Sequence, residues 1–277
     1  MIKAWIAALF IALLTGCSFA PKYHRPLMVL PMHYKENDRW KPAQSATSLE
    51  KVDRWWFLFQ DPVLNELEQK LTEANQNIQI AFARYQQACA EVQVARSAYY
   101  PTINGLANAN RQQVSKTIAD PLPHRRFSDY FVATNLNYEV DLWGRVRNAV
   151  AASESNAQAS VADLAGVSLS MHAELANDYF AYRGDELAQQ VLDKTVRAYQ
   201  TALDLTRSRF EGGAAAIADV DLAVSQLETA KTLAADIRLQ RAQLEHAIAV
   251  LIGEIPSNFK MPPTKTKMRL VQVDDDM

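Results

Sequence analysis

No proline falls between Pro123 and Pro256, and glycines are few across that interval. Proline removes a backbone donor and clashes with the preceding helical turn, so its long absence permits long uninterrupted helices. Two fit: one from about Arg145 to Phe210 and one from about Ala216 to Leu251. Between them stands Glu211-Gly212-Gly213, where glycine tolerates the positive φ that ends a helix. In the second helix Ile217, Val220, Val224, Leu227, Ala230, Ala234, Ile237, Leu244, Ile248 and Leu251 follow mostly alternating three- and four-residue steps. That is a coiled-coil seam with one three-residue slip near Leu227–Ala230. At roughly 1.5 Å per residue, the first helix would be on the order of 100 Å long. A long antiparallel hairpin, an ordinary long bundle and a dimeric coiled coil all satisfy this pattern.

Residues 61–100 are also expected to be helical. Asp61 can cap the first free amides, and Pro62 suits the first helical position, where its missing N–H costs nothing. Val63, Leu64, Leu67 and Leu71 then share a face, and a second helix runs from about Asn77 to Ala98, stopped by Pro101. Between Thr102 and Trp143 the period changes to two. In Phe131–Leu142 one set is Val132, Thr134, Leu136, Tyr138, Val140 and Leu142; the other is Ala133, Asn135, Asn137, Glu139 and Asp141. A transmembrane β-barrel strand needs such alternation, with lipid against the first set and a water-filled lumen against the second. Thr102–Gln112 is a weaker first strand, and Val114–Ser128, with Pro121 and Pro123, is expected to be the exposed loop between the two. A hairpin with one face on a soluble core would give the same periodicity.

The amino terminus carries a different constraint. Lys3 precedes an apolar stretch from Ala4 to Leu14, and Leu13-Leu14-Thr15-Gly16-Cys17-Ser18 closes it as a lipobox. Residues 1–16 are therefore expected to be a lipoprotein signal peptide, too short for a permanent span, with the Cys17 thiol acylated after cleavage. A soluble signal peptide with an incidental cysteine is the alternative. Ser18 replaces the aspartate that often retains lipoproteins at the inner membrane, which favours the outer membrane. From 17 to 60, with Pro26, Pro31 and Pro42 and little periodicity, the chain is read as an extended segment.

The formal net charge is −2. Loss of Lys3 with the signal leaves about −3, which gives no reason to expect a nucleic-acid partner. Acylation of Cys17 leaves Cys89 as a lone thiol, among Ala88, Ala90 and Val92, where it suits apolar packing. His24, His33, His124, His172 and His246 are scattered without metal-ligand spacing, and His172 and Glu174, two apart on one helix, do not face each other. No phosphate loop, nucleophile elbow or paired-carboxylate motif is present, so neither catalysis nor a cofactor is expected.

Several stretches carry a family resemblance. Trp55-Trp56-x-x-Phe59-x-Asp61-Pro62-x-Leu64-x-x-Leu67, followed by Asn75, Asn77 and Ala81, resembles the start of the TolC-like outer-membrane efflux factors, above all their lipoprotein branch. Tyr99-Tyr100-Pro101 resembles the end of that family's first long helix. Tyr138-Glu139-Val140-Asp141-Leu142-Trp143-Gly144-Arg145 resembles its junction of barrel strand and periplasmic helix. Arg209-Phe210-Glu211-x-Gly213 with Asp219-Val220 resembles its hairpin tip.

The resemblance implies a trimer whose outer-membrane barrel continues into an α-helical tunnel, docked on a periplasmic adaptor and an inner-membrane pump. The implied adaptor contact is the tip, with Phe210, Gly212, Gly213, Ala216 and Asp219. The expected fold is mainly α: long coiled-coil hairpins with a two-stranded contribution to a transmembrane β-barrel, filling the first of the family's two repeats. Residues 61–256 would form that repeat, with strands within 102–143 and the hairpin at 144–252. Residues 257–277, ending in Asp274-Asp275-Asp276-Met277, are read as a divergent, disordered tail, as in a frameshifted or early-stopped gene. The leading expectation is a passive efflux conduit anchored by lipid in the outer membrane. A pore-free periplasmic coiled-coil lipoprotein and an inert fragment are the alternatives.

Overall fold

The computed structural model describes His24, residues 54–115 and residues 126–263. Cys17, the signal peptide and residues 264–277 lie outside the described residues. The chain runs through a 3-10 turn (Trp55–Phe59), α1 (Pro62–Ala74), α2 (Gln76–Ser97), β1 (Thr102–Gln113), β2 (Arg126–Asn137), α3 (Arg145–Glu211) and α4 (Ile217–Leu251). Two compact units divide it, one holding residues 84–161 and the other residues 54–83 and 162–263 among those described. No described helix is long and apolar enough to cross a membrane.

In the second unit α1 begins as its sequence dictates. Asp61 accepts from the amides of Val63 (2.9 Å) and Leu64 (3.2 Å), and Pro62 opens the helix. Leu64, Leu67 and Leu71 are buried in the main core with Leu175, Ala176, Tyr179 and Tyr182 of α3 and Ile248, Ala249 and Leu251 of α4. Residues 55–59 depart from the extended expectation: Trp55–Phe59 forms a turn and Trp56 is buried in that core. Burying an indole of this size repays the cost of ordering the turn.

Asn75 separates α1 from α2 and serves both. Its Oδ1 accepts from the Ile78 amide (3.1 Å) and its Nδ2 donates to the Leu251 carbonyl (2.9 Å), the last of α4. Gly253 lies so close that an added Cβ would stand 2.9 Å from the Ala74 carbonyl, and its φ is +71°. The seam on α4 is largely as read: Val220, Leu227, Ala230, Ala234, Ile248 and Leu251 are buried, while Ile217 is exposed beside the tip. A separate cluster of Leu203, Val220 and Leu227, flanked by Val196 and Val224, holds the distal hairpin together.

The expected disordered tail needs correction where it is described. Phe259 and Met261 are buried in the main core; Arg183 donates to the Pro262 carbonyl (2.8 Å) and Glu245 accepts from the Met261 amide (2.8 Å). Two buried apolar side chains and two bonds, one of them from the buried Arg183, outweigh the polar look of this stretch.

Candidate functional site

In the first unit β1 and β2 pair antiparallel with no offset, Thr102 opposite Asn137 and Gln113 opposite Arg126. Directly opposed residues share a face, so this register sorts both strands at once. One face collects Ile103, Gly105, Ala107 and Ala109 with Leu136, Thr134, Val132 and Tyr130. The other collects Thr102, Asn104, Asn108 and Asn110 with Asn137, Asn135, Phe131 and Asp129, interrupted by Leu106, Ala133 and Phe127. The apolar face is nearly bare of covering protein: Val132 is 81% exposed, Ile103 70% and Leu136 66%. A soluble core buries such a face, whereas these side chains stand exposed.

Val132 and Leu136 thus lie on one face and Asn135 and Asn137 on the other, in the parity the alternation implies. Tyr138, Glu139, Val140, Asp141 and Leu142, expected to continue the strand, do not. β2 ends at Asn137, because its partner begins at Thr102, directly after Pro101, which has no amide to donate. Glu139 instead pairs with Arg145 (Nε–Oε1 2.6 Å). Asp141 accepts from the amides of Val146 (3.2 Å) and Arg147 (2.9 Å), capping α3. These two carboxylates therefore clamp a strand-to-helix corner and are not ladder residues. At the other end the strand starts earlier than its polar sequence suggests, at Arg126 rather than after Ser128.

The segments that flank the strands at this end carry Tyr99, Tyr100, Tyr138 and Trp143, all exposed. Nearby, Arg96 of α2 and Glu154 of α3 form an exposed pair at 2.6 Å.

The hairpin tip belongs to the second unit. α3 stops at Glu211, where Gly213, at φ +73°, lets Ala214 donate to the Arg209 carbonyl (2.7 Å). Ala216 precedes α4 without a capping oxygen of its own, and Asp219 compensates by accepting from the Ala216 amide (3.0 Å). Phe210 and Ile217 are exposed here.

Sequence reading missed a buried polar system below Trp56. Glu68 is fully buried and lies 2.6 Å from Nδ1 of His172, whose ring stacks on Trp56 at 4.4 Å. Burial pushes the Glu68 carboxyl up, against the hydrogen bond and charge of His172. Beside it the Tyr179 hydroxyl donates to Asp61 (2.6 Å); burial, then that bond, raises it to about 12. Arg183 is buried over the Tyr179 and Tyr182 rings. A signal was present: Glu68 shares the α1 stripe of Leu64, Leu67 and Leu71, and His172 sits one turn before Leu175 and Ala176 and two turns before Tyr179. Among the described residues no group of three or more His, Cys, Asp or Glu side chains could hold a metal.

A family model described as "Outer membrane efflux protein" matches residues 67–254. The chain is 25% identical over 252 residues to the probable efflux pump outer membrane protein TtgC of Pseudomonas putida, covering 90% of this chain and 52% of that protein. Among solved structures it is similar to the Campylobacter jejuni CmeC outer membrane channel, at TM-score 0.72 and 22% identity over 86% of this chain and 50% of that one. It also resembles the Neisseria gonorrhoeae MtrE outer membrane channel, at TM-score 0.68 and 26% identity over 89% and 53%. The chain spans about half the length of the curated relatives it matches. With the family match covering α2, α3, α4, most of α1, both strands and the tip, the chain belongs to the outer membrane efflux protein family.

Proposed function

We propose that this chain builds part of the wall of an outer-membrane efflux conduit, a passive path for small molecules that performs no chemistry. The observation that carries the reading is the sorted sheet: a bare apolar face and a mostly polar face, on strands joined at one end to α2 and α3. Val132 and Leu136 meet outer-membrane lipid, and Asn135 and Asn137 face the lumen. Tyr138, Val140 and Leu142 sit at the corner, outside the ladder. α3 and α4 extend into the periplasm, and the tip from Phe210 to Asp219 meets an adaptor that joins the conduit to an inner-membrane pump. Cys17 carries the lipid anchor.

Each strand has one edge without a ladder partner among the described residues. In hydrocarbon every open backbone group costs several kcal/mol, so the sheet must close with strands of further polypeptide, as a homotrimer of the family type provides. Assembly in the outer membrane tests the reading. Arginine on the lipid face near mid-bilayer costs about 2–4 kcal/mol. Val132→Arg, midway along the apolar face, is expected to deplete the chain from the outer-membrane fraction far more than Asn135→Arg on the opposite face; equal tolerance at both sites overturns the lipid assignment. Mass spectrometry of the membrane-bound chain is expected to find Cys17 as an acylated amino terminus, and an unmodified Cys17 contradicts the anchor.

A further inference from the structure

The apolar sheet face ends in cations. Beyond Ala109 and Tyr130 the same face carries Arg111 opposite Ser128, then Gln113 opposite Arg126. Asp129, the nearest carboxylate along the strand, is opposite Asn110 on the other face. Arg126 donates through Nε to Oε1 of Gln113 (2.8 Å), which steadies its guanidinium. Neither arginine pairs with a carboxylate among the described residues.

Their level on the sheet is informative. From Ile103 to Gln113 the strand advances about 34 Å at about 3.4 Å per residue, or about 24 Å of height at a tilt of about 45°. A barrel's apolar band is about 25 Å tall. Ile103 and Leu136 thus mark one boundary, beside the exposed Tyr99, Tyr100, Tyr138 and Trp143, and the arginines stand at the other. The helices leave the sheet at the aromatic end. The arginine end is the loop end, facing away from the periplasm if the helices are periplasmic. The outer leaflet there is built of phosphorylated glycolipid, and a guanidinium fork fits phosphate in a bidentate way that an ammonium cannot.

We propose that Arg111 and Arg126 form a guanidinium clamp for the phosphates of lipid A, fixing the depth of the sheet in the outer leaflet. The clamp rests on the reading that the apolar face meets lipid. The test reconstitutes the full chain into vesicles of phosphatidylcholine alone, with lipid A, or with phosphatidylglycerol, and reads the inserted fraction by protection from protease. Lipid A is expected to raise insertion of the native chain on the order of tenfold over phosphatidylcholine alone. The double variant Arg111→Gln, Arg126→Gln is expected to insert into phosphatidylcholine as the native chain does and to lose that gain. Arg111→Lys with Arg126→Lys, which keeps the charge without the fork, is expected to lose at least half of it. An undiminished gain in either variant, or an equal gain from phosphatidylglycerol, overturns the clamp and leaves the membrane reading standing. A native chain that enters no vesicle overturns the clamp, because the gain from lipid A that it requires is then absent.

Discussion

Glu68 sits on an apolar helical stripe, fully buried, with its Oε1 unbonded among the described residues. A carboxyl in that position prefers its neutral form, and its pKa stands above the ordinary 4.5 because burial outweighs the pull of His172. The folded chain therefore binds this proton more tightly than the unfolded chain does. The resulting stability is full below 4.5 and is lost as pH rises through the raised value. Tyr179 gives the same sign at the other end of the scale: its contribution is full below pH 10 and lost as pH climbs to about 12. Denaturant midpoints followed against pH check both. Glu68→Gln should flatten the acidic slope, whereas Tyr179→Phe should flatten the alkaline one and, by removing the hydrogen bond to Asp61, cost about 1 kcal/mol at neutral pH. Unchanged slopes in the two variants would assign the pH dependence to other groups. Histidine spacing alone suggested nothing about His172, because its partner is on another helix, 104 residues away in sequence.

At the scale of elements, the legible parts were those with local causes. The cap and proline at Asp61-Pro62, the stop at Pro101, the Gly212-Gly213 turn and the proline-free run behind it are short-range chemistry, and the helices begin and end where they predict. The β2 boundaries were misread at both ends because a ladder is settled by its partner. Alternation continues in sequence through Leu142, yet Pro101 leaves nothing for those residues to pair with, while Asp141 is recruited to cap α3. Arg126 and Ser128 lack apolar character, and β1 orders them anyway. The packed residues 257–263 escaped notice for a like reason, since their anchors Arg183 and Glu245 are remote in sequence. The tip invites an element-scale prediction. Gly213 has a positive φ and no heavy atom within 4 Å of where a Cβ would stand, so a side chain there is strained and projects into open space. Gly213→Trp should weaken cross-linking to a periplasmic adaptor while leaving oligomer assembly intact, and an unaltered cross-link yield would move the adaptor contact elsewhere.

For the whole molecule, the proposed conduit rests on the sorted sheet. Its apolar face has no cover in the described chain, and its two outer edges have no ladder partners there. Water would solvate the edges and leave the face exposed; hydrocarbon would cover the face and leave the edges costly. A closed ring of strands within a bilayer, as proposed above, satisfies both demands. The lipid-facing assignment is the hinge of this account, and cysteine scanning over residues 130–137 in the outer membrane, with Cys89→Ser removing the competing thiol, tests it most directly. Cysteines at 130, 132, 134 and 136 should be quenched by lipid-borne probes and resist a hydrophilic maleimide, whereas those at 131, 133, 135 and 137 should react with the maleimide. Uniform labelling along the strand, or the opposite parity, would contradict it.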